Sequence, residues 1–227
     1  MEINEFLSGP FLCASLLVFF AGLIYKIVWY VRGLDWRLER VAYAYAGKNG
    51  WIGALHSAFK WLIPFGTHSW RNQIYFTFAF FFFHLGVVVA PLFCDGHLVI
   101  MKDIIGFSWC SLPSCVIDSL TILGIIGAIM LLLRRILIEQ VRFISNFTDY
   151  SLLILCIILL ESALMARFQI GGGYMTTIHM LCGNLILIIA PFTKMSHIVL
   201  YFMSRGQLGM DFAVKRGGAT RGSKFPW

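Results

Sequence analysis

Residues 176–200 read TTIHMLCGNLILIIAPFTKMSHIVL, an apolar run long enough to cross a membrane that also carries His179 and His197. A transmembrane helix needs roughly 20 mainly apolar residues, and ionisable side chains inside one are costly and usually functional. If this helix is continuous, the eighteen-residue spacing places both imidazoles on one face, about 27 Å apart along the axis. The run therefore predicts a membrane helix with one functional group near each membrane face.

The composition of the whole chain is typical of a membrane protein. Of its 227 residues, 59% are hydrophobic and 13% are charged, whereas about a quarter of the residues in soluble domains are charged. We predict an all-α integral membrane bundle over residues 1–205 and a basic tail at 206–227. The five predicted helices lie at about 9–31, 73–94, 115–133, 150–167 and 175–203. The acidic start MEINEF is unlike a cleavable signal peptide, so we expect the first run to remain as an anchor.

Lysine and arginine are distributed unevenly between the predicted loops. The first loop, the third loop and the tail carry fourteen of them, whereas the second and fourth loops carry only Lys102 and Arg167. By the positive-inside rule, the N-terminus is then periplasmic and the C-terminus cytoplasmic, in the inner membrane. The net charge of +7 is thus a topology signal that suits membrane lipids, and we predict no nucleic-acid partner.

Two features lie outside the spans. The stretch 49–65 mixes apolar and polar residues, so we expect it to lie along the cytoplasmic membrane surface with His56 at the interface. Cys110 and Cys115 flank the short stretch SLPS and would form a disulfide only in an oxidising compartment. The six cysteines include no CxxC pair, which argues against a zinc or iron–sulfur site.

Three further histidines lie around the second predicted span. His84 lies within it, and His68 and His97 lie just beyond its two ends. Neutral imidazole is a good ligand for haem iron, and histidines on facing helices of a bundle can bind one haem between them. Gly183 follows His179 by one turn, where it would let a flat macrocycle approach the backbone or simply let two helices pack closely.

Three stretches of the sequence resemble a known family. HMLCGNLILIIAPFTKMSHIV (179–199), FFHLGVV (82–88) and RRILIEQVRFISNFTDYSLLIL (134–155) resemble the respiratory nitrate reductase gamma-subunit family of b-type cytochromes. The resemblance covers most of the chain from about Trp70 to Met203. In detail the chain is similar to the small cytochrome b subunits of transmembrane redox complexes of sulfate-reducing bacteria. The resemblance implies two haems b, a periplasmic multihaem cytochrome c, a cytoplasmic iron–sulfur redox subunit and a link to menaquinone.

The resemblance also implies the axial ligands of the two haems. His179 would bind the outer haem and His197 the inner one, with partners from the second helix. The nitrate reductase subunits have two histidines ten residues apart in that helix. Here Cys94 stands ten residues after His84 and Ile74 ten residues before it, so the sequence departs from the family pattern.

Two registers for the second helix remain open. In the favoured one, the FHLG match pairs His84 with His197, and His97 with His179. In the other, a match at Pro91 pairs His84 with His179, and His68 with His197. A single haem, or a non-histidine ligand such as Cys94, is a third option.

Three other charged residues lie near the predicted ligands. Lys194 and Arg205 would pair with haem propionates or extend to the lipid surface. Glu161 lies within the fourth span, where a buried carboxylate would relay protons, bind a quinol hydroxyl or form a bond between helices.

The function predicted from these residues is electron transfer across the membrane by a diheme cytochrome b subunit of an oxidoreductase complex. No catalytic residues are assigned, because the cofactor carries the redox chemistry. The alternatives are an intramembrane proton-relay or transport protein, and a membrane anchor of a respiratory complex without a redox role.

Overall fold

The computed structural model describes residues 3–34 and 50–215, and the regular structure of these residues is entirely helical. Five helices are long and apolar enough to cross a membrane, and we number them as the first to fifth spans: Ile3–Gly33, Ile74–Phe93, Ser114–Leu137, Phe147–Arg167 and Gly173–Phe192. The prediction of an all-α protein with five helices apolar enough to span a membrane is confirmed for the described residues. The described residues leave out six cations that the topology prediction used: Arg37, Arg40, Lys48, Arg216, Arg221 and Lys224.

The described residues divide into two compact units. The first is drawn from Met1–Phe19 and Tyr75–Ile189, and the second from Phe20–Ile74 and Ala190–Trp227. In the first unit the fourth span packs against both the third and the fifth spans, and the third packs against the second. The Ile3–Ser8 helix packs on the fifth span, where Thr177 Oγ1 donates to Asn4 Oδ1 at 2.7 Å.

In the second unit, a helix at 50–62 packs closely on the helix His197–Lys215. A Cβ atom at Gly209 would collide with the carbonyl oxygen of Gly53, and Tyr201 Oη donates to Ala58 O at 2.7 Å. The last helix thus continues past residue 206, the predicted start of the tail, and the basic cytoplasmic tail at 206–227 stays a prediction. Residues 206–215 continue a helix because Gly209 and the buried Met210 pack within this unit.

The predicted fifth helix, 175–203, is not continuous. A helix over Gly173–Ile189 is followed by two short 3₁₀ turns, and a new helix starts at His197. Pro191 interrupts the helix because it has no N–H and its ring clashes with the preceding turn. The calculation that put His179 and His197 on one face assumed a straight helix, so it no longer holds.

The second span contains a π-helical segment, Leu85–Val89, directly after His84. Pro91 favours this irregularity because it cannot donate the regular α-helical bond. Gly86 lies in the segment, and a Cβ atom there would be 2.5 Å from Gly124 Cα of the third span. Backbone-to-backbone contact thus fixes this part of the second span, at the kind of irregularity that is frequent at functional sites.

Candidate functional site

The structure brings His97 and His179 together within the first unit. Their Nε2 atoms lie 3.5 Å apart, and their ring planes differ by only 4°. The ring centres are 5.8 Å apart. The difference between this distance and the Nε2–Nε2 distance is roughly twice the distance from the centre of an imidazole ring to its nitrogen. The two Nε2 atoms therefore lie close to the line joining the centres, and the rings point at each other edge to edge.

The end of the second span positions His97. The span stops at Phe93, and Cys94 adopts an extended conformation before the helix Asp95–Ile105 begins. The last carbonyls of a helix have no partner within it. Three donors from the following segment bond to them: His97 Nδ1 to Pro91 O at 3.0 Å, Trp109 Nε1 to Leu92 O at 2.8 Å, and Leu112 N to Phe93 O at 3.0 Å. His97 is therefore part of the cap of this span.

The fourth span positions His179. The His179 Nδ1 atom donates to the carbonyl oxygen of Leu159 at 3.1 Å. Ser162 Oγ donates to the same oxygen at 3.0 Å. Sequence reasoning missed both Leu159 and Pro91 as partners, because a backbone carbonyl is present in every residue and leaves no signal in the sequence.

All four histidines of the favoured register share one feature. In each, Nδ1 is within hydrogen-bonding distance of a backbone carbonyl oxygen: His84 to Phe80 at 2.7 Å, His97 to Pro91 at 3.0 Å, His179 to Leu159 at 3.1 Å and His197 to Lys194 at 2.9 Å. A carbonyl only accepts, so we assign the proton to Nδ1 and the lone pair to Nε2. Metal-bound histidines usually donate their second ring N–H in this way, so all four have the tautomer of a metal ligand.

His68 differs from these four histidines. It is exposed at the start of the short helix His68–Asn72, and its ring nitrogens lie 3.1 and 3.5 Å from Asn72 Nδ2. The amide nitrogen is a donor, so the imidazole accepts there. His56 lies on the 50–62 helix, where burial and then the charge of Lys60 lower its pKa.

His84 and His197 belong to different units. His84 is half-buried on the second span, and its ring centre lies 4.0 Å from that of Phe80. His197 is exposed at the start of the last helix. The pairing of these two histidines stays a prediction.

Gly183 leaves open space one turn after His179. A Cβ atom built there would meet only Leu159 Cδ1, at 3.8 Å, which is ordinary van der Waals contact. Close helix packing therefore does not require glycine at this position, in contrast to Gly86. The space suits a flat ligand beside His179.

The geometry of the pair nearly fits a metal between the two rings. A metal–imidazole bond is about 2 Å long, so two of them need about 4 Å between the Nε2 atoms. The pair would have to open by about half an ångström, since the Nε2 atoms are 3.5 Å apart. Within the described residues, no group of three or more His, Cys, Asp or Glu side chains is placed to hold a metal ion.

The remaining predicted residues have varied surroundings. The Arg205 guanidinium lies over the Trp61 ring, 3.9 Å from its centre, and burial lowers its pKa. The Lys194 side chain is exposed. Glu161 is also exposed, on the fourth span, and its role in proton relay or quinol binding stays a prediction. The buried residues of that span are Asp149, Leu153, Cys156, Leu160 and Ser162.

The sulfur atoms of Cys110 and Cys115 form no disulfide, and both residues are exposed free cysteines. Cys94, the alternative ligand, is also a free cysteine and lies at the extended residue between two helices.

Comparison with known proteins finds a full-length relative. The chain is 55% identical over 224 residues to a protein of Nitratidesulfovibrio vulgaris strain Hildenborough described simply as "Protein", covering 98% of this chain and 99% of the relative. The chain belongs to the same family as this protein. No protein-family model matches the chain, and no solved structure matches it.

Proposed function

We propose that the protein is a cytochrome b subunit that carries electrons across the inner membrane between two haems b. The observation that carries this proposal is the His97–His179 pair, with parallel rings and Nε2 atoms 3.5 Å apart. Haem iron commonly takes two imidazole ligands, one on each side of its plane. Bound haem supplies one-electron redox chemistry, and the protein holds and tunes it.

The chain's own residues would hold the two haems in different ways. His97 and His179 each use Nδ1–H to bond a backbone carbonyl, so each would present the lone pair of Nε2 to a bound haem iron. Gly183, where a Cβ atom would meet only Leu159 Cδ1 at 3.8 Å, would let the macrocycle approach the backbone beside His179. His84 and His197, which have the same tautomer, stay the predicted ligands of the second haem, and Lys194 stays a predicted partner of its propionates.

The topology and partners of the proposed subunit follow from charge and resemblance. The N-terminus would be periplasmic and the C-terminus cytoplasmic, in agreement with the distribution of lysine and arginine. Electrons would pass between a periplasmic multihaem cytochrome c or menaquinone and a cytoplasmic iron–sulfur redox subunit.

Haem content per chain tests the proposal. The purified protein should contain about two haems b in a pyridine haemochrome assay. His97→Ala and His179→Ala should each remove one haem, and the double variant should remove no more than either single variant, because both residues serve one site. His68→Ala is the matched control and should keep both haems.

Other outcomes identify the alternatives. If His68→Ala loses a haem and His97→Ala does not, the other register is correct, in which His84 pairs with His179 and His68 pairs with His197. If no haem copurifies from cells with ample haem, the cytochrome proposal fails. A proton-relay role or a purely structural anchor would then replace it.

A further inference from the structure

Two buried hydrogen-bond donors lie on one face of the 50–62 helix. Ser57 Oγ and Trp61 Nε1 are each buried and have no hydrogen-bond partner among the described residues. Ser57 is 1% exposed. These residues are four apart, so they lie one above the other on the same helix face. Buried polar groups are nearly always hydrogen-bonded, and each exception calls for an explanation such as a bound group.

A third donor completes this set from the facing helix. The Arg205 guanidinium lies 3.9 Å from the centre of the Trp61 ring. The 50–62 helix contains no Asp or Glu. Asp211, the only carboxylate in the described part of the last helix, follows Arg205 by six residues. The three donor groups therefore lie where these two helices pack together, and among the described residues no carboxylate forms an ion pair with Arg205.

The last helix links these donors to His197. His197, Tyr201 and Arg205 follow one another at intervals of four residues, so they lie along one side of the helix. Tyr201 contacts Ala58 through its hydroxyl, and Arg205 contacts Trp61, so this side faces the 50–62 helix. Helical side chains lean toward the N-terminus of their helix, so the Arg205 guanidinium is directed back toward His197.

We infer that Ser57, Trp61 and Arg205 form a carboxylate-binding site for a propionate of the haem ligated by His197. The inference rests on the proposed function. An ionised carboxylate is acceptor-only and can take up several donors at once. Its hydrogen bonds to a guanidinium are charge-assisted and strong. Arg205, predicted from the sequence as a propionate partner, would thus act together with two uncharged donors that the sequence did not reveal.

The test compares variants that remove single donors while keeping their packing. We expect the midpoint potential of one haem to fall, and that of the other to stay unchanged, in each of Ser57→Ala, Trp61→Phe and Arg205→Gln. Loss of a donor or cation leaves the propionate more negative, and this negative charge stabilises the oxidised haem. The infrared carboxylate stretch of the propionates should shift in the same variants. Trp70→Phe is the matched control, since Trp70 Nε1 already donates to Trp61 O at 3.1 Å, and it should shift neither signal.

Each outcome decides between distinct possibilities. If the protein holds two haems but no variant changes a midpoint potential or the carboxylate stretch, the donors bind water. The inference is then wrong, whereas the proposed function still stands. Native mass spectrometry would detect an acidic phospholipid bound at this site. If the wild-type protein carries such a lipid and Arg205→Gln loses it, while both haem potentials stay unchanged, the site binds a lipid phosphate and the inference is wrong. Absence of haem from the wild-type protein would instead overturn the proposed function.

Discussion

Replacing Gly183 with alanine separates the stability of the fifth span from its capacity to accept a haem. The added Cβ atom would meet only Leu159 Cδ1, at 3.8 Å, so the haem-free protein has room for it. Alanine is about 1 kcal/mol more favourable than glycine inside a helix, which raises the ratio of folded to unfolded protein about fivefold. A macrocycle beside His179 would occupy the same space, so we expect this variant to lose one haem.

Two measurements test this prediction together. Haem b per chain should fall from about two to about one in the pyridine haemochrome assay. The free energy of unfolding of haem-depleted protein in detergent should rise by about 1 kcal/mol. Gly206→Ala is the matched control, because a Cβ atom there has nothing within 4 Å and lies in another helix. It should give the same gain in helix stability with both haems retained.

Two results would refute this reasoning. Retention of both haems in Gly183→Ala would show that no flat ligand lies against this glycine. A lower unfolding free energy in the haem-free variant would show that the space beside Leu159 is needed for helix packing.

Three further predictions concern stability. Gly124→Ala should cost about 1–3 kcal/mol through overpacking, because its Cβ atom would lie 2.7 Å from Gly86 Cα; an unchanged thermal midpoint would contradict the contact. Asn146→Ala should cost about 1 kcal/mol because its side chain accepts from Asp149 N at 3.2 Å, and Asn146→Ser should recover most of the loss in the same melting assay. Burial lowers the pKa of His56 from 6.5, so as the pH drops below 6.5 the unfolded chain takes up this proton before the folded protein does, and the thermal midpoint should fall. His56→Gln should flatten this pH dependence of the midpoint between about pH 5 and 8. An equal slope in the two proteins would exclude His56 as its source.

Hydropathy predicted the five spans because each is a long apolar run, but it could not predict how each helix ends. The fourth span begins at Phe147, three residues before the predicted start, because Asn146 and Asp149 form a capping box. The fifth helix breaks near Pro191, although apolar residues resume from Ile198 onward. A proline is a probable helix boundary rather than a certain one, so the pattern alone did not decide.

The candidate site was predicted only in part. Local sequence matches favoured His97 as the partner of His179, and the structure brings the two rings together. The carbonyls that orient them belong to Pro91 and Leu159, and any residue at those positions would supply the same oxygen. The second span also contains a π-helical segment after His84, and the hydropathy pattern did not predict it because the residues there are as apolar as those of a regular helix.

The location of the His97–His179 pair has a consequence for biogenesis. Both imidazoles and both orienting carbonyls lie within Tyr75–Ile189 of the first unit. This ligand pair therefore needs no residue of the last helix, so in the proposed cytochrome one haem could be bound without waiting for that helix to be placed in the membrane.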